Sequence, residues 1–311
     1  MIKYFISRRR FLKLTGFASA GLIMEPAFSL PSEKEIIRFG IITDSHYADR
    51  EPANDRYYRQ AIPKMNEAIE VLNREKVDFV VHLGDFKDQD DKQRTKDTLE
   101  YLNTLEAEYG KFNGPKYHCV GNHDVDSITK KDFLENIENT GITNNKSYYS
   151  FDSRGFHFVV LDANFNKDGS DHYHLGGKSD WQDPNITEEE FLWLENDLQA
   201  TKLPTIIFNH HTLFEYHRDE YRFHIQEPER MQKLLEDSNK VIAVFQGHVH
   251  EEIHKEINGI HYITQLGMVD GSGLENNSFS IVTINEKQIQ ADGYKRASDE
   301  GFGLQKNSFG N

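Results

Sequence analysis

The chain has 311 residues, of which 28% are charged and 37% hydrophobic, a balance typical of a globular protein with one large or two small domains. Its formal net charge of −15 argues against a nucleic-acid binder, because binding to phosphate backbones needs clustered Lys and Arg. The single cysteine, Cys119, excludes a disulfide within the chain and lies in an apolar run, as expected of a small buried side chain.

Residues 1–30 are predicted to be a targeting signal rather than part of the fold. The segment from Ser7 to Lys13 resembles the bacterial twin-arginine export signal, and a moderately apolar stretch follows it. Several polar residues, Glu25 among them, make that stretch too polar for a stable membrane span. The resemblance implies export by the twin-arginine machinery to the periplasm or the medium. A basic N-terminal helix of the mature protein is the alternative.

The rest of the chain, 31–311, is predicted to be a single domain that begins with alternating strands and helices. Continuous apolar runs predict buried strands at 36–43, 77–83 and 117–120. Apolar spacing predicts amphipathic helices at 59–74 and 95–109. This order favours parallel strands joined by right-handed crossovers.

The second half of the chain continues the pattern and adds two long loops. The predicted elements are a helix near 130–139, a hairpin of 148–151 with 156–161, helices at 188–200 and 227–237, strands at 205–208 and 241–245, and antiparallel strands over 252–292. The loops 164–186 and 212–226 are too long for plain connections, so we expect them to cover a site. Arg218 and Arg222 in the second loop suit an anionic group of a substrate, with solvated arginines as the alternative.

Polar clusters follow five of the predicted strands. In open α/β sheets functional groups gather beyond the carboxyl ends of strands, so we expect these clusters to meet at one edge. Oxygen and imidazole donors mixed in this way suit Mn, Fe, Zn or Co better than Ca or Mg. The candidates exceed the needs of one tetrahedral ion and fit two ions that share a carboxylate. They are Asp44, His46, Asp85, Asn122, His210, His248 and His250.

The ordered motifs Asp-x-His, Gly-Asp-x-x-Asp, Gly-Asn-His-Asp, His and Gly-His-x-His resemble the calcineurin-like metallophosphoesterase superfamily. The resemblance implies an α/β fold, a four-layer αββα sandwich of two mixed β-sheets flanked by helices. It also implies two divalent ions that share Asp85. The other ligands it assigns are Asp44, His46 and His250 for one ion, and Asn122, His210 and His248 for the second. His210 rather than His211 matches the ligand position.

Two further residues match the family without being ligands. His123 corresponds to the histidine that contacts the phosphate and protonates the leaving oxygen, and Asp88 to the carboxylate that orients it. A carboxylate beside an imidazole favours the imidazolium, which suits a general acid near neutral pH. Solvated loop carboxylates remain the alternative for Asp88 and Asp124. Histidines inside strands, such as His82, are predicted to be packed in the core.

The opening residues 39–49 and 56–59 are similar to the manganese-dependent ADP-ribose/CDP-alcohol diphosphatases, although His46 stands where a glutamine is usual. The predicted function is an exported dinuclear-metal phosphoesterase that hydrolyses a phosphate diester or pyrophosphate bond of a small molecule by attack of a metal-bound hydroxide. A phosphomonoesterase is the first alternative. A non-catalytic metal-binding scaffold is the second, but a scaffold has no use for His123 and Asp88. A protein Ser/Thr phosphatase is disfavoured because no Arg-Gly follows Asp88.

The export signal makes a direct prediction. Lysine at both Arg8 and Arg9 should retain the precursor in the cytoplasm, because the export receptor reads the arginine pair. Immunoblots of the cytoplasmic and exported fractions measure the retention. Undiminished export of the doubly substituted precursor would reject the twin-arginine assignment.

Overall fold

The computed structural model describes residues 36–143, 146–176, 180–216 and 223–304. The signal predicted for 1–30 and the start of the domain predicted for 31–311 lie outside these residues and stay predictions. Arg218 and Arg222 also lie outside them, so the binding role predicted for these arginines stays a prediction too. Among the described residues, no helix combines the length and the apolar character that crossing a bilayer demands.

The described residues form twelve strands and five helices. The strands are β1 Ile37–Ile42, β2 Phe79–His82, β3 Lys116–His118, β4 Tyr149–Ser153, β5 Phe156–Val160, β6 Thr205–Asn209, β7 Val241–Gln246, β8 His254–Ile257, β9 Ile260–Thr264, β10 Ser278–Asn285, β11 Gln288–Lys295 and β12 Glu300–Gly303. The helices are α1 Ala61–Glu75, α2 Thr95–Tyr109, α3 Lys130–Glu135, α4 Glu188–Ala200 and α5 Pro228–Ser238.

The strands form two six-stranded mixed sheets. The first has the order β12-β11-β10-β1-β2-β3, with β1, β2 and β3 parallel, as predicted, and the other three antiparallel. The second has the order β4-β5-β6-β7-β9-β8, with β5, β6, β7 and β9 parallel and an antiparallel strand at each edge. In both sheets the parallel strands end at the same side, which brings their following loops together.

The three largest clusters of buried apolar residues in the described chain define four layers. Between the sheets, the ring of Phe39 meets the ring of Phe158 edge-on, with centroids 5.6 Å apart. The outer face of the first sheet packs against α1 and α2 through residues such as Met65 and Leu102. The outer face of the second sheet packs against α4 and α5, for example through Leu194. The prediction of an αββα sandwich is therefore confirmed.

The C-terminal strands differ in part from the prediction. The prediction of antiparallel strands over 252–292 is confirmed for the pairs β8–β9 and β10–β11, but it missed the parallel pairing of β9 with β7. The hairpin of β8 and β9 places β8 at the sheet edge and returns β9 beside β7 in the same direction. Strand β12 lies beyond the predicted range. Its residues alternate between half-buried and exposed, so its sequence contains no apolar run that would predict a strand. Strand β3 ends at His118 and α3 at Glu135, each earlier than predicted.

Candidate metal centre

The loops that follow five parallel strands converge on one edge of the sandwich. Hydrogen bonds tie them together: the amide of Asp44 donates to the carbonyl of Gly84 at 3.1 Å, and the amide of His248 donates to Asp44 Oδ2 at 3.1 Å. The amide of Gly247 donates to the carbonyl of His210 at 3.1 Å. Loops of both sheets therefore contribute to one buried cluster of polar side chains.

The first group of donor atoms comes from Asp44, His46 and His250. Asp44 Oδ1 lies 3.2 Å from His250 Nε2 and 3.6 Å from His46 Nε2, and the two imidazole nitrogens are 3.3 Å apart. The three side chains could hold one metal ion together. This is the set that the sequence predicts for the first ion.

The second group comes from Asp85, His210 and His248. His210 Nε2 lies 3.3 Å from Asp85 Oδ2 and 3.1 Å from His248 Nδ1. Asn122 precedes His123, whose amide donates to Asp85 Oδ1 at 2.8 Å, so the backbone that carries Asn122 passes beside this group. His211, the neighbour of His210, is fully buried with its ring against that of His248, centroids 4.5 Å apart, and is not part of the group.

Asp85 lies between the two groups. Its Oδ2 atom is 3.5 Å from His46 Nε2 in the first group and 3.3 Å from His210 Nε2 in the second. Burial opposes the ionisation of Asp85, but the charges of His210, His123 and His46 hold the pKa of its carboxyl well below the usual range. The geometry is that of one carboxylate shared by two sites.

Three acceptors outside the centre fix the proton positions on its histidines. Nδ1 of His210 lies 2.9 Å from the carbonyl oxygen of Leu83, which only accepts, so Nδ1 carries the proton. Nδ1 of His250 lies 2.8 Å from Asp270, and Nδ1 of His46 lies 3.2 Å from Asp88. In its neutral form each ring therefore presents a lone pair on Nε2 to the centre, as metal-bound histidines do.

Two oxygen atoms of the proposed ligands, Asp44 Oδ1 and Asn122 Oδ1, have no hydrogen-bond partner among the described residues. Both atoms are buried, and Asp44 Oδ1 lies 3.2 Å from His250 Nε2, which faces it with a lone pair when the ring is neutral. A buried acceptor left unsatisfied costs about 1–3 kcal/mol. Lone pairs of oxygen and nitrogen that face one another in this way fit divalent cations, so the donor set agrees with the predicted pair of ions.

Five residues of the centre share a strained, left-handed backbone conformation. Asp44, His46, Asp85, His248 and His250 have φ values of 53°, 46°, 53°, 71° and 55°. Residues with a Cβ rarely adopt this left-handed conformation, and such strain concentrates at functional sites. The strain turns the side chains of these strand-end residues toward one another.

Two motif glycines allow the site loops to approach closely. A Cβ atom on Gly121 would lie 2.1 Å from the backbone nitrogen of Asp85, and one on Gly247 would lie 2.2 Å from Thr43 Oγ1. Both distances are shorter than any van der Waals contact. The glycines of Gly-Asn-His-Asp and Gly-His-x-His are therefore required by the packing of the loops.

His123 and Asp88 lie together at the side of the centre. His123 Nδ1 is 3.3 Å from Asp88 Oδ1, while the other oxygen of Asp88 faces His46 Nδ1 at 3.2 Å. Burial lowers the pKa of His123, but the charges of Asp88 and Asp85 outweigh it and raise the pKa to about 9. Asp88 is 2% exposed, so the alternative of a solvated carboxylate is wrong for it.

Asp124 is also buried and joins two site loops. Its Oδ1 accepts from the amides of Phe86 at 2.9 Å and Lys87 at 3.3 Å, and its Oδ2 accepts from the amide of Gly121 at 2.8 Å. Burial and the charge of Asp85 raise the pKa of Asp124 to about 7. The solvated alternative is wrong here as well, and the residue has a structural role.

The sequence analysis missed three side chains that support the centre. Asp270 holds His250, and Lys87 and Asp126 lie beneath His123. Asp270 has a weak sequence signal, because it follows the apolar pair Met268-Val269 just as the predicted ligands follow their strands. Lys87 and Asp126 lie within or next to predicted motifs, but nothing in the sequence brings them into contact.

The loop predicted over 164–186 lies against the loop of His123. The amide of His174 donates to the carbonyl of Val125 at 3.1 Å, and Lys130 binds the carbonyl of Asn164 at 2.9 Å. Residues 217–222 of the other loop lie outside the described residues. The substrate-binding role of both loops stays a prediction.

Two mixed sheets between helices, with two carboxylate–imidazole groups that share an aspartate, define the metallophosphoesterase class. Residues 37–252 match the family described as calcineurin-like phosphoesterase, and the chain belongs to that family. The predicted superfamily is thereby confirmed.

Individual relatives fall into two groups. A manganese-dependent ADP-ribose/CDP-alcohol diphosphatase of Arabidopsis thaliana is 31% identical over 145 residues, covering 42% of this chain and 44% of its own length. Purple acid phosphatase 23 of the same plant is 29% identical over 160 residues, covering 48% and 31%. The chain thus spans less than half the length of these curated relatives. The crystal structure of a dimetal phosphatase from Danio rerio superposes with a TM-score of 0.73 and 21% identity, covering 88% of this chain and all of that one.

The glycine contacts make a prediction about the centre. Gly121→Ala should displace Asp85 and lower the bound metal and the activity together, because the added methyl overlaps the Asp85 backbone. Metal analysis of the purified variant measures this. Gly303→Ala is the matched control, since a Cβ there meets nothing within 4 Å. Wild-type metal content in Gly121→Ala would refute the close approach.

Proposed function

We propose that this protein hydrolyses a phosphate diester or pyrophosphate bond of a small molecule, with two divalent ions held by the seven predicted ligands. The position of Asp85 Oδ2 between the two donor groups carries the proposal. Support for the bond type comes from the similarity to the Arabidopsis thaliana enzyme, which acts on ADP-ribose and CDP-alcohols by its name.

The residues divide into two sites around the shared carboxylate. Asp44, His46 and His250 would hold one ion, and Asn122, His210 and His248 the second. Ions bound here would polarise the phosphoryl oxygens, lower the pKa of water and orient an in-line displacement. Deprotonated Asp44 and Asp85 suit this role, because neighbouring histidine charges hold the pKa of both carboxyls low in spite of burial.

His123 is proposed to supply the proton that the leaving oxygen needs. The Nδ1–H group of His123 faces the acceptor oxygen Oδ1 of Asp88 at 3.3 Å. The other ring nitrogen, Nε2, therefore faces away from the carboxylate. The charges of Asp88 and Asp85 raise the pKa of the ring to about 9, which favours its protonated form. The His123 side chain is 30% exposed, so a substrate can reach it.

A phosphomonoesterase is the second candidate, and the similarity to purple acid phosphatase 23 supports it. The experiment that decides is a comparison of turnover on a nitrophenyl monoester, a bis-nitrophenyl diester, ADP-ribose and a cyclic nucleotide, with added Mn. Preference for the diester or ADP-ribose favours the first proposal. Preference for the monoester favours the second. No turnover of any of the four would leave the metal-binding scaffold.

Export completes the proposal. We infer that the twin-arginine pattern at Arg8 and Arg9 directs the protein to the periplasm or the medium, where a hydrolase of small phosphate compounds has access to external substrates. The experiment with lysine at both positions tests this inference independently of the activity.

Replacement of the shared carboxylate tests the two-ion arrangement. Asp85→Asn should lose at least one ion per chain and nearly all turnover, because the neutral amide cannot offset two cations. Metal analysis and the substrate panel measure both effects. Asp237→Asn, on the exposed side of α5, is the control for the loss of one negative charge. Two ions and normal turnover in Asp85→Asn would remove this residue from the bridging role.

Replacement of the acid should separate proton donation from metal binding. General acid catalysis is typically worth about 10²–10⁴-fold, and nitrophenolate leaves readily without a proton whereas an alkoxide does not. His123→Asn should therefore keep both ions but lose more rate on an alkyl or nucleoside ester than on a nitrophenyl ester. Equal losses on the two esters would mean that His123 acts only by binding phosphate charge.

A further inference from the structure

Lys87 is a lysine whose side chain is fully buried, next to the loop that carries His123. Its ammonium group contacts two acceptors, the backbone carbonyl oxygen of His123 and the carboxylate oxygen Oδ1 of Asp126. A buried ammonium is costly unless it is paired and hydrogen-bonded. Both partners belong to the segment that carries His123, so the lysine binds the loop of the proposed acid from below.

Asp126 has one oxygen that accepts hydrogen bonds and one that accepts none from the described residues. Oδ1 accepts from Lys87 and, at 2.5 Å, from the amide of Ser127. Oδ2 is buried without a hydrogen bond and lies 3.9 Å from His123 Nδ1. Asp88 Oδ1 lies 3.3 Å from the same nitrogen. The Nδ1 proton of His123 therefore lies between two carboxylates of different loops.

The two loops bind His123 at two points. Asp88 contacts the imidazole ring, and the adjacent Lys87 binds the carbonyl of the same residue. With the backbone and one ring nitrogen both fixed, the remaining nitrogen, Nε2, has a defined direction. Catalytic groups need this precision, because a misplacement of about 1 Å costs about 10²-fold in rate.

We propose that Lys87 and Asp126 are a positioning pair for His123, which directs its Nε2 toward the leaving oxygen of the substrate. The inference rests on the function proposed above and extends it to residues that bind neither metal nor substrate. The ammonium group of Lys87 neutralises the negative charge of Asp126, so that the Nδ1–H group of His123 points to Asp88 rather than to Asp126. Without Lys87, Asp126 would be an uncompensated carboxylate that attracts the ring away from Asp88.

This electrostatic argument sets an order among three variants. Lys87→Met leaves Asp126 unbalanced and should be the worst. Asp126→Asn keeps the carbonyl contact of Lys87 and should be milder. The double variant Lys87→Met/Asp126→Asn removes both charges and should recover part of what Lys87→Met loses, because a broken buried pair is worse than an absent one.

The first measurement is turnover on an alkyl or nucleoside ester against a nitrophenyl ester, with the bound metal determined in parallel. Lys87→Met should keep both ions and lose on the order of 10-fold more rate on the alkyl ester than on the nitrophenyl ester, in line with the sensitivity of general acids to the leaving group. Introduced into His123→Asn, the same change should add no further difference between the esters.

Lys130→Met is the matched control. Lys130 is also a buried lysine paired with a buried carboxylate, Asp162, at 2.6 Å, and no contact links it to His123 in the described residues. Loss of this pair should lower stability without changing the ratio of the two rates. If Lys130→Met changes the ratio as Lys87→Met does, the effect is one of general destabilisation and the positioning pair is rejected.

A second measurement needs no turnover. The ring nitrogen signals of His123, assigned by comparison with His123→Asn, should shift in Lys87→Met and in Asp126→Asn and stay in place in Lys130→Met. If Lys87→Met does not fold, Asp126→Asn and the double variant carry both measurements. Unchanged ring signals, or equal losses on both esters, overturn the positioning pair. Inactivity of the wild type on every ester, with shifted signals in the variants, would instead refute the proposed function alone.

Discussion

Burial of lone pairs is the constraint on which the site depends. At the sheet edge, the Nε2 atoms of His46, His210 and His250 and the carboxylate oxygens of Asp44 and Asp85 face one another among side chains that are mostly buried. Leu83, Asp88 and Asp270 occupy the Nδ1 side of the three rings, so the rings relieve the repulsion only by taking up a second proton on Nε2. Cations relieve it, and metal binding is therefore part of the stability of this edge.

The sandwich provides the rigidity that this arrangement demands. Left-handed backbone at five site residues persists only where the surroundings over-determine it. Here the surroundings are two sheets packed through interlocking aromatic rings, with helices on both outer faces. The strand ends cannot retreat from one another, because the inner cluster fixes the distance between the sheets. The strain at the site is thus maintained by apolar burial elsewhere.

Local sequence patterns predicted most of the strands, the helices and the candidate ligands. Features that depend on contacts between distant segments could not be predicted in this way. The runs that became β1 and β2 are bounded by polar motifs, so the strand ends and the seven candidate ligands could be inferred from residue order alone. The parallel pairing of β9 with β7 could not be inferred from the sequence, because the direction of β9 is set by its hairpin with β8 and not by its own residues. Lys87 and Asp126 are 39 positions apart and meet only in the folded chain, so no periodicity could indicate their contact.

Asp88 connects the metal centre to the proposed acid, and this connection argues against a scaffold. One of its oxygens faces His46, and the other faces His123, which lies outside both donor groups of the two proposed ions. A protein that only stores or displays metal needs the first contact, and it gains from the second only if His46, Asp88 and His123 themselves hold an ion. It has still less use for a buried lysine that neutralises a competing carboxylate beside the same imidazole. Burying Asp88, Lys87 and Asp126 around His123 costs free energy, and His123 is not among the proposed metal ligands. A role of His123 in proton transfer explains why these polar groups surround it.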